Sequence, residues 1–189
     1  SEAIAAMSRV ISEVARNVKK PFGVNVLRND ARAALAIAAA TGAAFIRINV
    51  HTGAMVTDQG IIEGTAAETL RARASLAPDV AIFADHLVKH ASPLGQADPL
   101  QAAKDLRLRG LADAVIISGS ETGAAADPAR LTMLRSVIDA PLLVGSGLTA
   151  ENAAAFGEAD GAIVGTSVKG KNDAVDAERF AAVVRAFKA

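Results

Sequence analysis

Pro141-Leu142-Leu143-Val144-Gly145-Ser146-Gly147, followed by Gly161-Ala162-Ile163-Val164-Gly165-Thr166-Ser167, decides the fold class of this chain. Each stretch is a short apolar run closed by a glycine turn. The runs have the length and unbroken hydrophobicity of buried parallel strands. Glycine lets a backbone approach an anion closely, and the N–H groups that follow can point at it. In (β/α)8 barrels a phosphate often sits in the loops after the last two strands. The two turns therefore imply a barrel with a phosphorylated ligand held by Gly145, Ser146, Gly147, Gly165, Thr166 and Ser167. Either turn alone is an ordinary strand-to-helix connection; their pairing after the last two apolar runs carries the inference.

The upstream sequence repeats the same unit. Strands are predicted at Phe22–Leu27, Phe45–Val50, Val80–Ala84, Ala114–Ser118, Leu142–Val144 and Ala162–Val164. Alanine- and leucine-rich segments with apolar spacing near 3.6 predict helices at Asp30–Thr41, Gly64–Leu76, Pro99–Gly110, Pro128–Ile138 and Ala150–Phe156. Asp98 before Pro99, Asp127 before Pro128 and Thr149 before Glu151 are helix-start signals. Ser1 to Lys19 reads as a leading helix with Ile4, Met7, Val10, Ile11, Val14 and Val18 on one side. The class is α/β, a single domain over residues 1–189, with about six βα units: an incomplete (β/α)8 TIM-barrel type, or an open doubly wound sheet.

Strand alternation favours the barrel. In Phe45-Ile46-Arg47-Ile48-Asn49-Val50-His51, Ile46, Ile48 and Val50 share one face while Arg47, Asn49 and His51 share the other. A parallel strand covered by helices on both faces is apolar on both, whereas a barrel interior admits polar groups near its open end. An edge strand with one wet face is the plainer alternative. Asn25, Leu27 and Asn29 form a similar row.

Composition bounds the function. Lys plus Arg (20) equal Asp plus Glu (20), and aromatics make up 3 %, so no basic footprint or stacking platform for nucleic acid is present. No cysteine means no disulfide or thiolate chemistry. Apolar stretches are too short to span a bilayer, and the opening residues lack a signal-peptide pattern, so a soluble cytoplasmic protein without membrane insertion is expected. Neither a dinucleotide fingerprint, nor a P-loop, nor a serine-hydrolase elbow is found. His51, Asp58, Asp85, His86 and His90 include metal donors, but no spacing among them matches a ligand motif, so no cofactor is assigned, with a divalent metal as the alternative left open.

Three further blocks extend the pattern: Gly23-Val24-Asn25-Val26-Leu27-Arg28-Asn29-Asp30; Phe45 to Ala54 with Thr57-Asp58-Gln59-Gly60; and Phe83-Ala84-Asp85 with Val88-Lys89-His90-Ala91. Together with Ser118-Gly119-Ser120, Thr122-Gly123, the two glycine turns and Val175-Asp176-Ala177-Glu178-Arg179, their order and spacing closely resemble the BtpA/SgcQ family over essentially the whole chain. The resemblance implies a barrel of the ribulose-phosphate-binding kind. Members have been described as photosystem I biogenesis factors and as nucleoside-processing or sugar-operon proteins, so no reaction comes with the name. Two departures stand out. The resemblance implies that Ser1–Lys19 corresponds to the helix after strand two, so that the family's first strand, first helix and second strand are expected to have no counterpart in these residues. The Ser167 to Asp176 loop is also shorter than the family's lysine- and glycine-rich one.

Residues able to do chemistry cluster at strand ends, where barrel active sites lie. Asp85 leaves an apolar strand and can be a general base, a hydroxyl acceptor or a metal ligand; its plain alternative is a cap. His51 exchanges protons near neutral pH, or is a structural histidine. Lys89 supplies ligand charge, with His86 and His90 as surface residues; Asp58 and Glu63 lie in a lid segment that Gly53, Gly60 and Gly64 let move. The expectation is an enzyme on a phosphosugar or nucleotide-like metabolite, lyase-, isomerase- or hydrolase-like. Asp85, His51 and Lys89 would be catalytic, and Asn25, Arg47, Asn49 and Ser118 substrate-binding. The competing class is a non-catalytic assembly factor, which would show an apolar face to its partner. Because a six-stranded piece exposes two sheet edges, those edges are expected to be covered, by another copy in a homo-oligomer or by an N-terminal segment.

Overall fold

In the computed structural model, which describes residues 2–88, 90–95, 98–119 and 125–188, the predicted apolar runs form short strands separated by helices. In chain order the elements are α1 (Glu2–Asn17), β1 (Gly23–Val24), α2 (Ala31–Thr41), β2 (Phe45–Ile48), β3 (Ala54–Thr57), β4 (Gly60–Glu63), α3 (Ala66–Leu76), β5 (Ala81–His86), β6 (Ala91–Pro93), α4 (Pro99–Lys104), β7 (Ala114–Ile117), α5 (Pro128–Arg135), β8 (Leu142–Val144), β9 (Gly161–Ala162) and α6 (Ala177–Lys188). Asp98 and Asp127 cap α4 and α5 as predicted, accepting from Leu100 N and Ala129 N at 2.9 Å each. The α4 helix continues as a π-turn over Asp105–Arg109 and closes at Gly110.

Strand order separates the two candidate architectures. The main sheet is six-stranded, β1-β2-β5-β7-β8-β9, and every neighbouring pair is parallel. A doubly wound sheet reverses its order at a switch point. Here the order never reverses, so right-handed crossovers place every connecting helix on one face, and the sheet curls as in a barrel. Val24, Ile46, Ile48, Ile82, Ala84, Val115, Ile117, Leu142 and Val144 point to the helix layer and form the core with Leu35, Leu131, Leu134 and Phe156. The alternate residues, among them Phe45, Arg47, Phe83, Asp85, Ala114 and Ile116, point to the inner face. Phe45 and Phe83 stack there with ring centroids 4.3 Å apart.

Several local expectations are corrected. The strands predicted at Phe22–Leu27 and Ala162–Val164 pair over two residues each, Gly23–Val24 and Gly161–Ala162. The helix predicted at Ala150–Phe156 is a turn followed by a 3-10 segment, Ala153–Phe156. Thr149 and Asn152 bond each other's backbone N–H groups, which competes with a regular first turn. The apolar side of α1 divides: Ile4, Met7 and Ile11 pack on the core, whereas Val10, Val14 and Val18 are exposed. The segment expected as a mobile lid is a second sheet, three-stranded and antiparallel in the order β4-β3-β6. Arg28 Nη1 donates to Asp58 Oδ1 at 2.7 Å, and Asn29 exchanges hydrogen bonds with the backbone of Val50 at 2.7 and 2.8 Å, fastening this sheet's base to the loop after β1.

Candidate functional site

At the C-terminal end of the main sheet the inner face turns polar. Asp85, whose side chain is 1 % exposed, is grasped by Arg47: Nε and Nη2 donate to Oδ1 at 3.1 and 2.9 Å, and Nη2 to Oδ2 at 3.1 Å. Asn49 Nδ2 donates to Oδ2 at 2.7 Å. Asn25 Nδ2 donates in turn to the Arg47 carbonyl at 3.0 Å and to Asn49 Oδ1 at 3.3 Å. Asn25, Arg47, Asn49 and Asp85 thus form one network, on the face that strand alternation assigned to them. A carboxylate has about four acceptor sites, and these bonds occupy Asp85's. In this arrangement Asp85 pairs with Arg47 and Asn49 and orients them.

Arg47 is also the link to the glycine turns. It lines a cavity of about 350 Å³ with Gly145, Ser146, Gly147, Leu148, Thr149, Ile163, Gly165, Thr166 and Ser167. The two turns are tied together: Ser167 Oγ donates to the Leu148 carbonyl at 2.6 Å, and Asn152 Nδ2 donates to the Gly147 carbonyl at 2.9 Å. Gly147 sits at φ +72°, a conformation that favours glycine. Among the described residues, the backbone N–H groups of Gly147, Gly165, Thr166 and Ser167 donate to no protein acceptor. Ser146 Oγ accepts from Gly119 N at 3.2 Å, bringing the end of β7 against the first turn. Ser118 lies there too, 3 % exposed, with its hydroxyl unpaired among the described residues.

His51 does not join this set. Its buried Nε2–H donates to the Gly110 carbonyl at 2.8 Å, at the close of the π-turn, and Nδ1 has no partner among the described residues. Burial holds its pKa below the ordinary histidine value, against the hydrogen bond to Gly110. The physical reason is that the alternation continues through Asn49 and Val50 and breaks at His51, which is buried in the bend after the strand. His86, expected at the surface, is 2 % exposed. Arg130 Nη2 donates to its Nδ1 at 2.9 Å and its carbonyl at 2.8 Å, which puts the proton on Nε2, facing the Pro99 carbonyl at 2.9 Å. Burial and then the Arg130 charge lower its pKa to about 4. Burial also lowers the Arg130 pKa. Arg130, which nothing in the sequence singled out, joins the ends of β5, α4 and α5. Lys89 lies outside the described residues. Among the described residues no group of three or more His, Asp or Glu is arranged to hold a metal ion, and no helix is long and apolar enough to cross a membrane.

The family model described as the BtpA family matches residues 1–189. The chain belongs to the BtpA family. It is 45 % identical over 192 residues to a Synechocystis protein named photosystem I biogenesis protein BtpA, covering 97 % of this chain and 66 % of that protein. An uncharacterised Pyrococcus abyssi relative is 43 % identical over 191 residues, covering 99 % of this chain and 73 % of its own length. This BtpA-family chain therefore spans about two-thirds to three-quarters of the length of these relatives. Among solved structures, N-(5'-phosphoribosyl)anthranilate isomerase from Pyrococcus furiosus is similar with TM-score 0.66 at 18 % identity, over 96 % of this chain and 80 % of that one. Thiamine phosphate pyrophosphorylase from Pyrococcus furiosus gives 0.64 at 14 % identity, over 96 % and 77 %. These likenesses support the barrel-type fold of the BtpA-family chain.

Proposed function

We propose that this chain binds a small phosphorylated metabolite, a phosphosugar or nucleotide-like compound, at the C-terminal mouth of its sheet. The observation that carries this is the cavity lined by the Gly145–Gly147 and Gly165–Ser167 turns together with Arg47, where the N–H groups of Gly147, Gly165, Thr166 and Ser167 have no protein acceptor among the described residues. Converging N–H dipoles and a guanidinium are the groups that recognise a phosphate. Its volume of about 350 Å³ lies at the lower end for small-molecule sites, which suits a small metabolite. The two similar structures named above carry names built on phosphorylated compounds. The reading is of binding first, because Asp85 holds Arg47 and His51 is engaged at Gly110.

The test is a thermal-shift screen of inorganic phosphate and phosphorylated metabolites. A ligand at a hundred times its Kd stabilises by about 2.7 kcal/mol, which for a domain of this size raises Tm by roughly 5–10 °C. No shift with any phosphorylated compound would refute the reading. A second reading, a non-catalytic assembly factor, draws on the name of the Synechocystis relative and on Val56, Ile61 and Leu94, which stand 44 %, 58 % and 57 % exposed on or beside the small sheet. It predicts that charging these three positions abolishes function while leaving ligand binding intact.

A further inference from the structure

We propose that a second cavity, between the small antiparallel sheet and α4, binds an aliphatic polyamine: two or three ammonium groups on a methylene chain. The cavity holds about 460 Å³, within the range of small-molecule sites, and shares no lining residue with the cavity at the glycine turns. Met55, Leu87, Pro93 and Leu94 give it apolar walls, and the Leu94 N–H fastens the β6 side by donating to the Ala54 carbonyl at 2.9 Å.

Its charge is of one sign. Asp98 and Asp105 line it, and among the described residues no Lys, Arg or His does. Each carboxylate is engaged through one oxygen only among the described residues: Asp98 Oδ1 accepts from Leu100 N at 2.9 Å, and Asp105 Oδ1 from Gln101 Nε2 at 3.0 Å. The chain as a whole has 20 basic and 20 acidic residues, so attraction for a cation belongs to this cavity and not to the surface at large.

The spacing of the charges selects the ligand. Asp98, Gln101, Ala102 and Asp105 stand at i, i+3, i+4 and i+7, one face of α4 and its continuation, and all four line the cavity. Seven residues of helix advance about 10 Å, which suits two cations joined by a chain and not one ion shared by both carboxylates. Between them Ala102 leaves room for methylene groups, and Gln101, its Nε2 turned to Asp105, keeps its carbonyl oxygen as an acceptor for an N–H in mid-chain. A narrower space of about 30 Å³ shares Thr52, Met55, Leu87 and Ala102 with this cavity and reaches Asn49 and Asp85, so the polyamine would lie beside the polar network without entering the phosphate cradle.

The experiment is isothermal titration of spermidine, with butylamine as the single-charge control, into the parent chain, Asp98→Asn, Asp105→Asn and Ala102→Leu, with a thermal melt of each. Salt at about 0.15 M screens diffuse surface attraction. Asn caps helices as Asp does, so Asp98→Asn keeps the start of α4. The expected result is a single spermidine per parent chain, no measurable butylamine binding, and spermidine bound about ten-fold more weakly by each Asn variant, as for the loss of one hydrogen bond to a charged group. Ala102→Leu keeps every charge but fills the cavity, and should lose spermidine; should it fail to fold, the two Asn variants decide alone. Parent protein that ignores spermidine or takes butylamine equally well, Asn variants that bind as the parent does, or a folded Ala102→Leu that still binds would each overturn the inference. Phosphate titrated into the same proteins should bind all of them alike, which keeps this outcome separate from that of the phosphate reading.

Discussion

Removing the Asp85 carboxylate tests the network at its centre. In Asp85→Ala the Arg47 guanidinium, whose side chain is 19 % exposed, loses its counter-ion and all three of its hydrogen bonds to that carboxylate. Breaking a buried pair from one side leaves an uncompensated charge and costs about 3–5 kcal/mol. At 2–4 °C per kcal/mol for a chain of this length, Tm falls by about 6–20 °C. The double variant Arg47→Met/Asp85→Leu removes both charges together, and exchanges of that kind are often near neutral. Its stability therefore returns to within about 1 kcal/mol of the parent. Urea unfolding of the parent, both single variants and the double variant closes the cycle. A loss below about 1 kcal/mol in Asp85→Ala, or a double variant as unstable as the single, would refute the claim that Asp85 exists to hold Arg47.

Gly165→Leu places a side chain where nothing lies within 4 Å, so it fills the cradle without a clash; it should leave Tm within about 2 °C of the parent and abolish phosphate binding by calorimetry, because two or more charge-assisted hydrogen bonds at about 1.5–3 kcal/mol each are lost. Stability should fall on acidification from pH 7.5 to 5: the unfolded chain protonates His86 below its ordinary 6.5, whereas the folded value is about 4. The stabilisation is therefore complete above pH 6.5, lost as pH falls towards 4, and about 2 kcal/mol smaller at pH 5. Urea titrations at the two pH values measure it; His86→Gln should flatten the slope, leaving the part contributed by His51, which is depressed in the same direction. Because β1 and β9 each pair on one side only among the described residues, sedimentation should detect self-association or capture of another strand-bearing segment. A 19.2 kDa monomer with both edges open and a cooperative unfolding transition would contradict that.

What the sequence disclosed, and what it did not, follows from how local each feature is. The apolar runs, the caps at Asp98 and Asp127 and the glycine turns are short-range patterns, and they located the sheet, two helix starts and the cavity. Alternation along and just beyond β2 correctly placed Arg47 and Asn49 beside Asp85, but it persists only to Val50 and breaks at His51, which is buried in the bend that follows. The antiparallel sheet was not legible at all. Ala91-Ser92-Pro93 has no strand signature, and it becomes β6 only because Thr57, Val56 and Met55 pair with it from a distant loop. Arg130 likewise carries no local signal; its meeting with His86 is made by the packing of α5 against the end of β5. Sequence patterns record periodicity and turns, whereas contacts between separate loops depend on tertiary geometry.

Sequential strand order also determines which side of the cavity stands open. The second glycine turn follows β9, the outer strand at one edge, while Asn25 follows β1, the outer strand at the other. A parallel strand paired with β9 would end beside Gly165–Ser167, and one paired with β1 would end beside Asn25 and its bonds to Arg47 and Asn49. Whatever covers these edges would therefore border the cavity as well as the sheet. Edge pairing and ligand binding then share one free energy: a phosphorylated ligand that contacts the added strand strengthens the pairing, and the pairing strengthens ligand binding by the same factor. The candidate site is in this sense built on the two least supported strands of the sheet, β1 and β9, each with two paired residues. On the proposed phosphate reading, affinity would for that reason be set by what stabilises those edges as much as by the cradle itself.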